Sequence, residues 1–155
     1  MKKLSYSKAR SWSLTYTGGP ISITNLSQTP NLILPCNGGL NKLSLETLEP
    51  TPIVENNEEN PEDFDYITTF ALSPRDDQTS SSFLACCSRS GLIKLFKYDD
   101  EQKNYVMEKQ WRALHRTPVK SIVFDETSTL LATGATDGSV RVWDLKGNFC
   151  TGWFC

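Results

Sequence analysis

Apolar and polar positions alternate in short runs along most of this chain, and turn residues bound the runs. Val119-Lys120-Ser121-Ile122-Val123-Phe124 reads as a half-buried strand. Leu130-Leu131-Ala132-Thr133-Gly134-Ala135 follows, then an Asp137-Gly138 turn, then Val140-Arg141-Val142-Trp143-Asp144. An Asp-Gly step between two β-rich runs predicts a hairpin, because glycine accepts positive φ. Phe149-Cys150-Thr151 can begin a fourth strand.

The same order recurs upstream. Ile67 to Pro74, Phe83 to Ser88, a Ser90-Gly91 turn, Leu92 to Lys97 and Tyr105 to Trp111 give a second set of four strands. A weaker copy holds Ile21 to Ile23, Leu32 to Cys36, Gly38-Gly39 and Leu40 to Leu45. Taking Gly39, Gly91 and Gly138 as the turn glycines, the units are spaced by 52 and 47 residues. Four strands at that period predict a propeller blade of ~40–45 residues, lengthened by polar loops. The expected fold is all-β, an open propeller of about three blades.

Alternation also assigns faces. Ile122, Phe124, Leu131, Val140 and Val142 are expected inside the last unit, and Leu84, Ile93 and Leu95 inside the second. Leu131 to Ala135 should run antiparallel to Ser139 to Trp143, with Ser121 to Phe124 pairing the former. The predicted organisation is an N-terminal segment 1–13, a degenerate unit 14–55, an acidic linker 56–65, a unit 66–112 and a unit 113–155 cut short at its last strand. The linker carries five acids and no base over Glu55 to Asp63, and reads as a solvated insertion. Arg75 to Ser82 reads as a second polar loop, and Lys2, Lys3, Lys8 and Arg10 as a soluble end.

Composition narrows the function. Sixteen Lys and Arg against 18 Asp and Glu give a net charge of −2, which argues against a general nucleic-acid binder. No apolar run approaches the ~20 residues of a membrane span, and the start lacks the apolar stretch of a signal peptide. Five cysteines, with no Cys-x-x-Cys, point to buried thiols rather than a disulfide frame or zinc site. Adjacent Cys86 and Cys87 in one strand face opposite ways and cannot share a metal. One histidine, His115, leaves little for a catalytic scheme. No catalytic residue, cofactor, metal or small-molecule substrate is therefore expected.

Leu130-Leu131-Ala132-Thr133-Gly134, Asp137-Gly138-Ser139 and Val140-Arg141-Val142-Trp143-Asp144 resemble a WD40 repeat, with its closing Trp-Asp pair intact. The resemblance implies a structural hydrogen-bonded set of His115, Thr133, Asp137 and Trp143, beside Asp144. Leu114 replaces the glycine that usually precedes the family histidine. The second unit has Arg89 or Ser90 in place of the turn aspartate and Phe96 in place of tryptophan, and the first unit has neither residue. A complete set is expected in the third unit alone.

Trp111-Arg112-Ala113-Leu114-His115-Arg116-Thr117-Pro118-Val119, with Tyr16-Thr17-Gly18-Gly19 and Ile67 to Pro74, is similar to WD40 components of the U-three small nucleolar ribonucleoprotein. What that implies is a non-catalytic nucleolar scaffold of the small-subunit processome. Its partners would be other processome proteins and the particle of U-three RNA and 18S precursor RNA. A WD40 substrate adaptor or signalling scaffold outside the nucleolus is the alternative. Relatives of this kind continue beyond Thr151 with His and Phe, where this chain has Gly152-Trp153-Phe154-Cys155, so a truncated transcript or gene product is expected.

Overall fold

The computed structural model describes residues 15–26, 29–55, 65–74, 82–147 and 149–154. The expected segment 1–13, most of the acidic linker and most of the Arg75 to Ser82 loop lie outside the described residues. Twelve strands fall into three four-stranded antiparallel sheets in simple meander order. The first holds β1 (Ser22–Leu26), β2 (Thr29–Cys36), β3 (Gly39–Ser44) and β4 (Pro50–Val54). The second holds β5 (Ile67–Leu72), β6 (Phe83–Ser88), β7 (Leu92–Asp99) and β8 (Asn104–Arg112). The third holds β9 (Val119–Phe124), β10 (Leu130–Ala135), β11 (Val140–Asp144) and β12 (Phe149–Phe154). The sheets are three blades of a propeller that does not close.

Two cores lie between consecutive blades. Ile33 and Leu40 of the first blade meet Phe70, Leu84, Cys86 and Phe96 of the second. On the other face of that second sheet, Ala85, Cys87, Ile93 and Leu95 meet Ile122, Phe124, Leu131 and Trp143. The middle blade is thus covered on both sides, which is why β6 is buried at every position but its first. Cys86 and Cys87 fall in different cores, as the two-residue period of a strand requires. Each fully buried Leu or Ile contributes about 1.5–3 kcal/mol relative to exposure.

The third blade has one covered face. Leu131 pairs with Trp143 and Phe124, and this row looks toward the second blade. The other row carries Val123 and Val140, which are 56% and 38% exposed, with Val142 half-buried. This corrects the expectation that Val140 and Val142 lie inside. Alternation groups residues on a face, but packing decides which face is covered, and Trp143 takes the inward place.

The turns repeat with one shift. Gly91 and Gly138 have φ of 80° and 82°, a left-handed conformation in which a Cβ would be strained. In the first blade the turn is Asn37-Gly38, with φ of 54° and 79°. Gly39 is therefore not the turn glycine but the first residue of β3, paired with Cys36. Positive φ at both central residues gives a type I′ geometry, which suits the strand twist.

Neighbouring blades are also joined by polar contacts. Lys42 on β3 is 8% exposed, lies 5.7 Å from the Tyr98 ring centroid and donates to the carbonyl of Lys103 in the β7–β8 turn. Lys109 on β8 donates to the carbonyl of Leu145 in the β11–β12 turn. On β5, the Thr68 hydroxyl is directed at the carbonyls of Cys87 and Val119, 3.0 Å from each.

Candidate functional site

The third blade brings the expected side chains together, with one residue that sequence reasoning missed. Trp143 Nε1 donates to Thr133 Oγ1 at 2.9 Å, and His115 Nε2 stands 2.9 Å from the same hydroxyl. The other ring nitrogen, Nδ1, is 2.7 Å from Ser139 Oγ, and that hydroxyl is 2.6 Å from Asp137 Oδ1. Asp137 thus reaches the imidazole through Ser139 instead of bonding it directly. The turn carboxylate folds back onto its own hairpin, also accepting the Ser139 N–H at 2.9 Å. Ser139 gives no separate signal in the sequence, where Asp137-Gly138 already accounts for the turn.

These bonds define the proton positions. A carboxylate only accepts, so Ser139 gives its hydroxyl proton to Asp137 and accepts from His115 Nδ1–H. Indole only donates, so Thr133 accepts from Trp143. Nδ1 thus carries a proton, and in the neutral ring Nε2 accepts the Thr133 proton, so that every bond then runs one way from Trp143 and Thr133 toward Asp137. Burial pushes the His115 pKa down, the Arg141 charge pushes it further, and Asp137 and Thr133 oppose both. The bonds from Ser139 hold the Asp137 carboxyl below its ordinary value.

Asp144 lies outside this chain of bonds. Its Oδ1 accepts the backbone N–H groups of Lys146 and Gly147 at 2.7 and 2.9 Å, fixing the β11–β12 turn.

The second blade ties its loop to its turn by the opposite assignment of groups. Counted from Gly91 as from Gly138, Cys86 stands for Thr133, Ser90 for Asp137, Lys94 for Arg141 and Phe96 for Trp143. Asp65, in the segment leading into β5, accepts the Ser90 N–H and hydroxyl at 2.8 Å each. The carboxylate now sits on the loop and the hydroxyl on the turn. Cys86 and Phe96 replace both partners of the buried hydroxyl–indole bond by apolar groups, which leaves nothing unsatisfied. Hydrogen bonds from Ser88 and Ser90, with the Lys94 charge, outweigh burial and lower the Asp65 pKa.

A cavity of about 640 Å³ opens beside the third-blade set, lined by Leu114, His115, Arg116, Asp137, Ser139 and Arg141 among others. Leu114 holds φ of 56° and is 62% exposed at its rim. Among the described residues, no group of three or more His, Cys, Asp or Glu is arranged to hold a metal ion. Burial pushes the Cys86 and Cys87 thiols up to about 12, which suppresses the thiolate form needed for nucleophilic work.

Comparison with known proteins agrees with this geometry. Residues 112–144 match the family described as WD domain, G-beta repeat. Transducin beta-like protein 3 of Homo sapiens is 32% identical over 149 residues, which cover 96% of this chain and 16% of that protein. The Mus musculus protein of the same name is 41% identical over 90 residues, covering 58% of this chain and 10% of that protein. The Periodic tryptophan protein 2 homolog of Caenorhabditis elegans is 31% identical over 65 residues, covering 42% of this chain and 7% of that protein. The chain spans about a sixth or less of the length of these relatives.

Proposed function

This chain is a WD40-repeat protein similar to transducin beta-like protein 3, and from that premise we propose that it serves as part of a non-catalytic scaffold in ribosome biogenesis. The finer reading is a role in the small-subunit processome of the nucleolus, in processing of the 18S ribosomal RNA precursor. The single observation that carries it is the likeness to transducin beta-like protein 3 over 96% of this chain.

The physical features support a scaffold. The side chains that carry chemistry elsewhere are used here to hold loops to turns: the one imidazole is bonded on both nitrogens. A net charge of −2 leaves little to neutralise phosphates, so protein neighbours supply most of the affinity, with RNA held by the particle as a whole.

The test is purification of the whole protein that carries this segment. It should bring down the U-three small nucleolar RNA and other processome proteins, and its depletion should cause unprocessed small-subunit RNA precursor to accumulate. Normal 18S levels after near-complete depletion, with a cytoplasmic location, would replace this reading by the adaptor or signalling scaffold.

A further inference from the structure

The loop between β8 and β9 anchors alternate residues and leaves those between them exposed. Ala113 is 1% exposed, and its N–H donates to the Gly91 carbonyl in the turn of the second blade at 2.8 Å. His115 is bonded on both ring nitrogens to the third blade. Thr117 Oγ1 accepts the Asp137 N–H at 3.0 Å, and the Pro118 carbonyl accepts the Thr136 N–H at 3.3 Å. The loop is thus fastened to one hairpin turn on each side. The alternate residues Arg112, Leu114 and Arg116 are all exposed.

Leu114 has two features that the fold itself does not explain. Its φ of 56° lies in the left-handed region that glycine takes without strain. Its side chain is 62% exposed, so burial does not offset that strain. Among the described residues, no other exposed large apolar side chain has a positive φ. Strain kept at an exposed position points to a use outside the fold. The flanking arginines agree, since neither Arg112 nor Arg116 forms an ion pair among the described residues. Arg112 Nη1 makes one long bond, 3.5 Å, to the Ser90 carbonyl, and exposed Arg89 precedes Ser90 on that turn. The carboxylates of the two flanking turns are held there, Asp65 by Ser90 and Asp137 by Ser139.

We propose that Arg112, Leu114 and Arg116 form a rigid docking ridge for a protein partner's segment in which an apolar residue stands between two acidic ones. Side chains two residues apart in an extended segment lie on one side of it, so acid–x–apolar–x–acid matches the ridge. Each exposed guanidinium receives one carboxylate, and Leu114 meets the apolar residue between them. Because Ala113, His115 and Thr117 already hold the loop, docking has little chain to order, which favours affinity. RNA fits this ridge less well. Its phosphates would suit the arginines, but unpaired bases stack on aromatic side chains, and the residue between these arginines is aliphatic. The proposal rests on the scaffold reading only in requiring a protein partner, and names the surface that partner would use.

The test titrates the isotope-labelled chain with N-acetyl-Glu-Ala-Leu-Ala-Glu-amide and follows backbone amide resonances by NMR. Two twin peptides replace both Glu by Gln, or the central Leu by Ser, and a short oligouridylate is the fourth ligand. The Glu peptide should shift the amides of the β8–β9 loop and bind at least about tenfold more tightly than the Gln twin. The Ser twin should bind at least about threefold more weakly than the Glu peptide. Arg112→Gln combined with Arg116→Gln should weaken the Glu peptide to the level of its Gln twin. Leu114→Gly separates binding from folding. It should leave the urea midpoint unchanged or raised, because glycine takes this φ without strain, yet weaken the Glu peptide at least about threefold. The twins judge the proposal on the unaltered chain if either variant fails to fold. Equal binding of either twin, undiminished binding by either variant, a lowered urea midpoint in Leu114→Gly, or tighter binding of oligouridylate would overturn the ridge. These measurements use this chain and defined peptides, so their failure is separable from failure of the whole protein to co-purify with its particle.

Discussion

Trp143 and Thr133 are joined by a hydrogen bond although they are not opposite each other. In the β-ladder Thr133 pairs with Arg141 and Trp143 with Leu131, so the indole reaches diagonally along one face to the threonine hydroxyl. That hydroxyl is 0% exposed and serves two partners, the indole and the imidazole. Thr133→Val keeps the shape and strands both, so it should lower stability by about 1–3 kcal/mol in urea unfolding. The double variant Thr133→Cys with Trp143→Phe reproduces the Cys86 and Phe96 pair of the second blade. Its loss should be smaller than the sum of the two single losses; a strictly additive pair would count against the shared bond.

Acid should act on this chain in two steps. The folded His115 pKa is depressed below the usual value of about 6.5, so the unfolded chain binds more protons between the two. Stability contributed by the neutral ring is present above about 6.5 and falls as pH drops toward the folded pKa. Asp65, Asp125 and Asp137 also have depressed pKa values, Asp125 down to about 2. Their contribution is present above the ordinary carboxylate value and is lost only below it. Urea midpoints measured from pH 7.5 downward should show an early decline that His115→Asn removes and a later one that it leaves. An early decline of equal size in the variant would assign that step elsewhere.

Thiol reactivity should follow burial. Cys36, Cys86 and Cys87 are buried, and Cys150 is half-buried in β12. With iodoacetamide at pH 8, Cys150 should be alkylated well before those three, which should react only as the chain unfolds. Mass spectrometry of peptides from briefly treated protein reads this directly. Early modification of Cys86 in the folded chain would contradict its place between two blades.

The outward row of the third blade predicts self-association. Val123, Leu130, Val140 and Phe154 are each more than a third exposed, and contiguous apolar surface of this kind promotes contact between copies. Val123→Lys combined with Val140→Thr should reduce concentration-dependent light scattering. Because both side chains contact solvent, the urea midpoint should change by an amount equivalent to about 0.5 kcal/mol or less. A large fall in stability would mean that this face is covered in solution.

Much of the blade architecture was legible because strand alternation and turn glycines recur at a fixed period. The Leu131, Phe124 and Ile93 positions follow from that pattern alone. β4 was not, since Pro50 and Pro52 interrupt any strand signal. Proline is tolerated there because β4 is an edge strand, paired with β3 alone. Val140 and Val142 were placed on the wrong side because periodicity gives two faces and no sign. The site was legible where it followed the family pattern, at His115, Thr133 and Trp143. Ser139 and Asp65 were not, since each acts through a contact between loop and turn that local sequence does not encode. The Gly38-Gly39 pair left the first turn ambiguous by one residue, and the backbone resolved it in favour of Asn37-Gly38.

The two lysine contacts between blades have a consequence for how such a chain diverges. Lys42 and Lys109 each grip a main-chain carbonyl in the neighbouring blade's last turn, at Lys103 and Leu145. A carbonyl is the same whatever side chain follows it, so the joint recognises the path of the neighbour and is blind to its composition. Each turn is therefore free to change its residues without a matching change in the lysine that holds it. Blades as dissimilar as the second and third stay interlocked because mutation does not rewrite the surface they share.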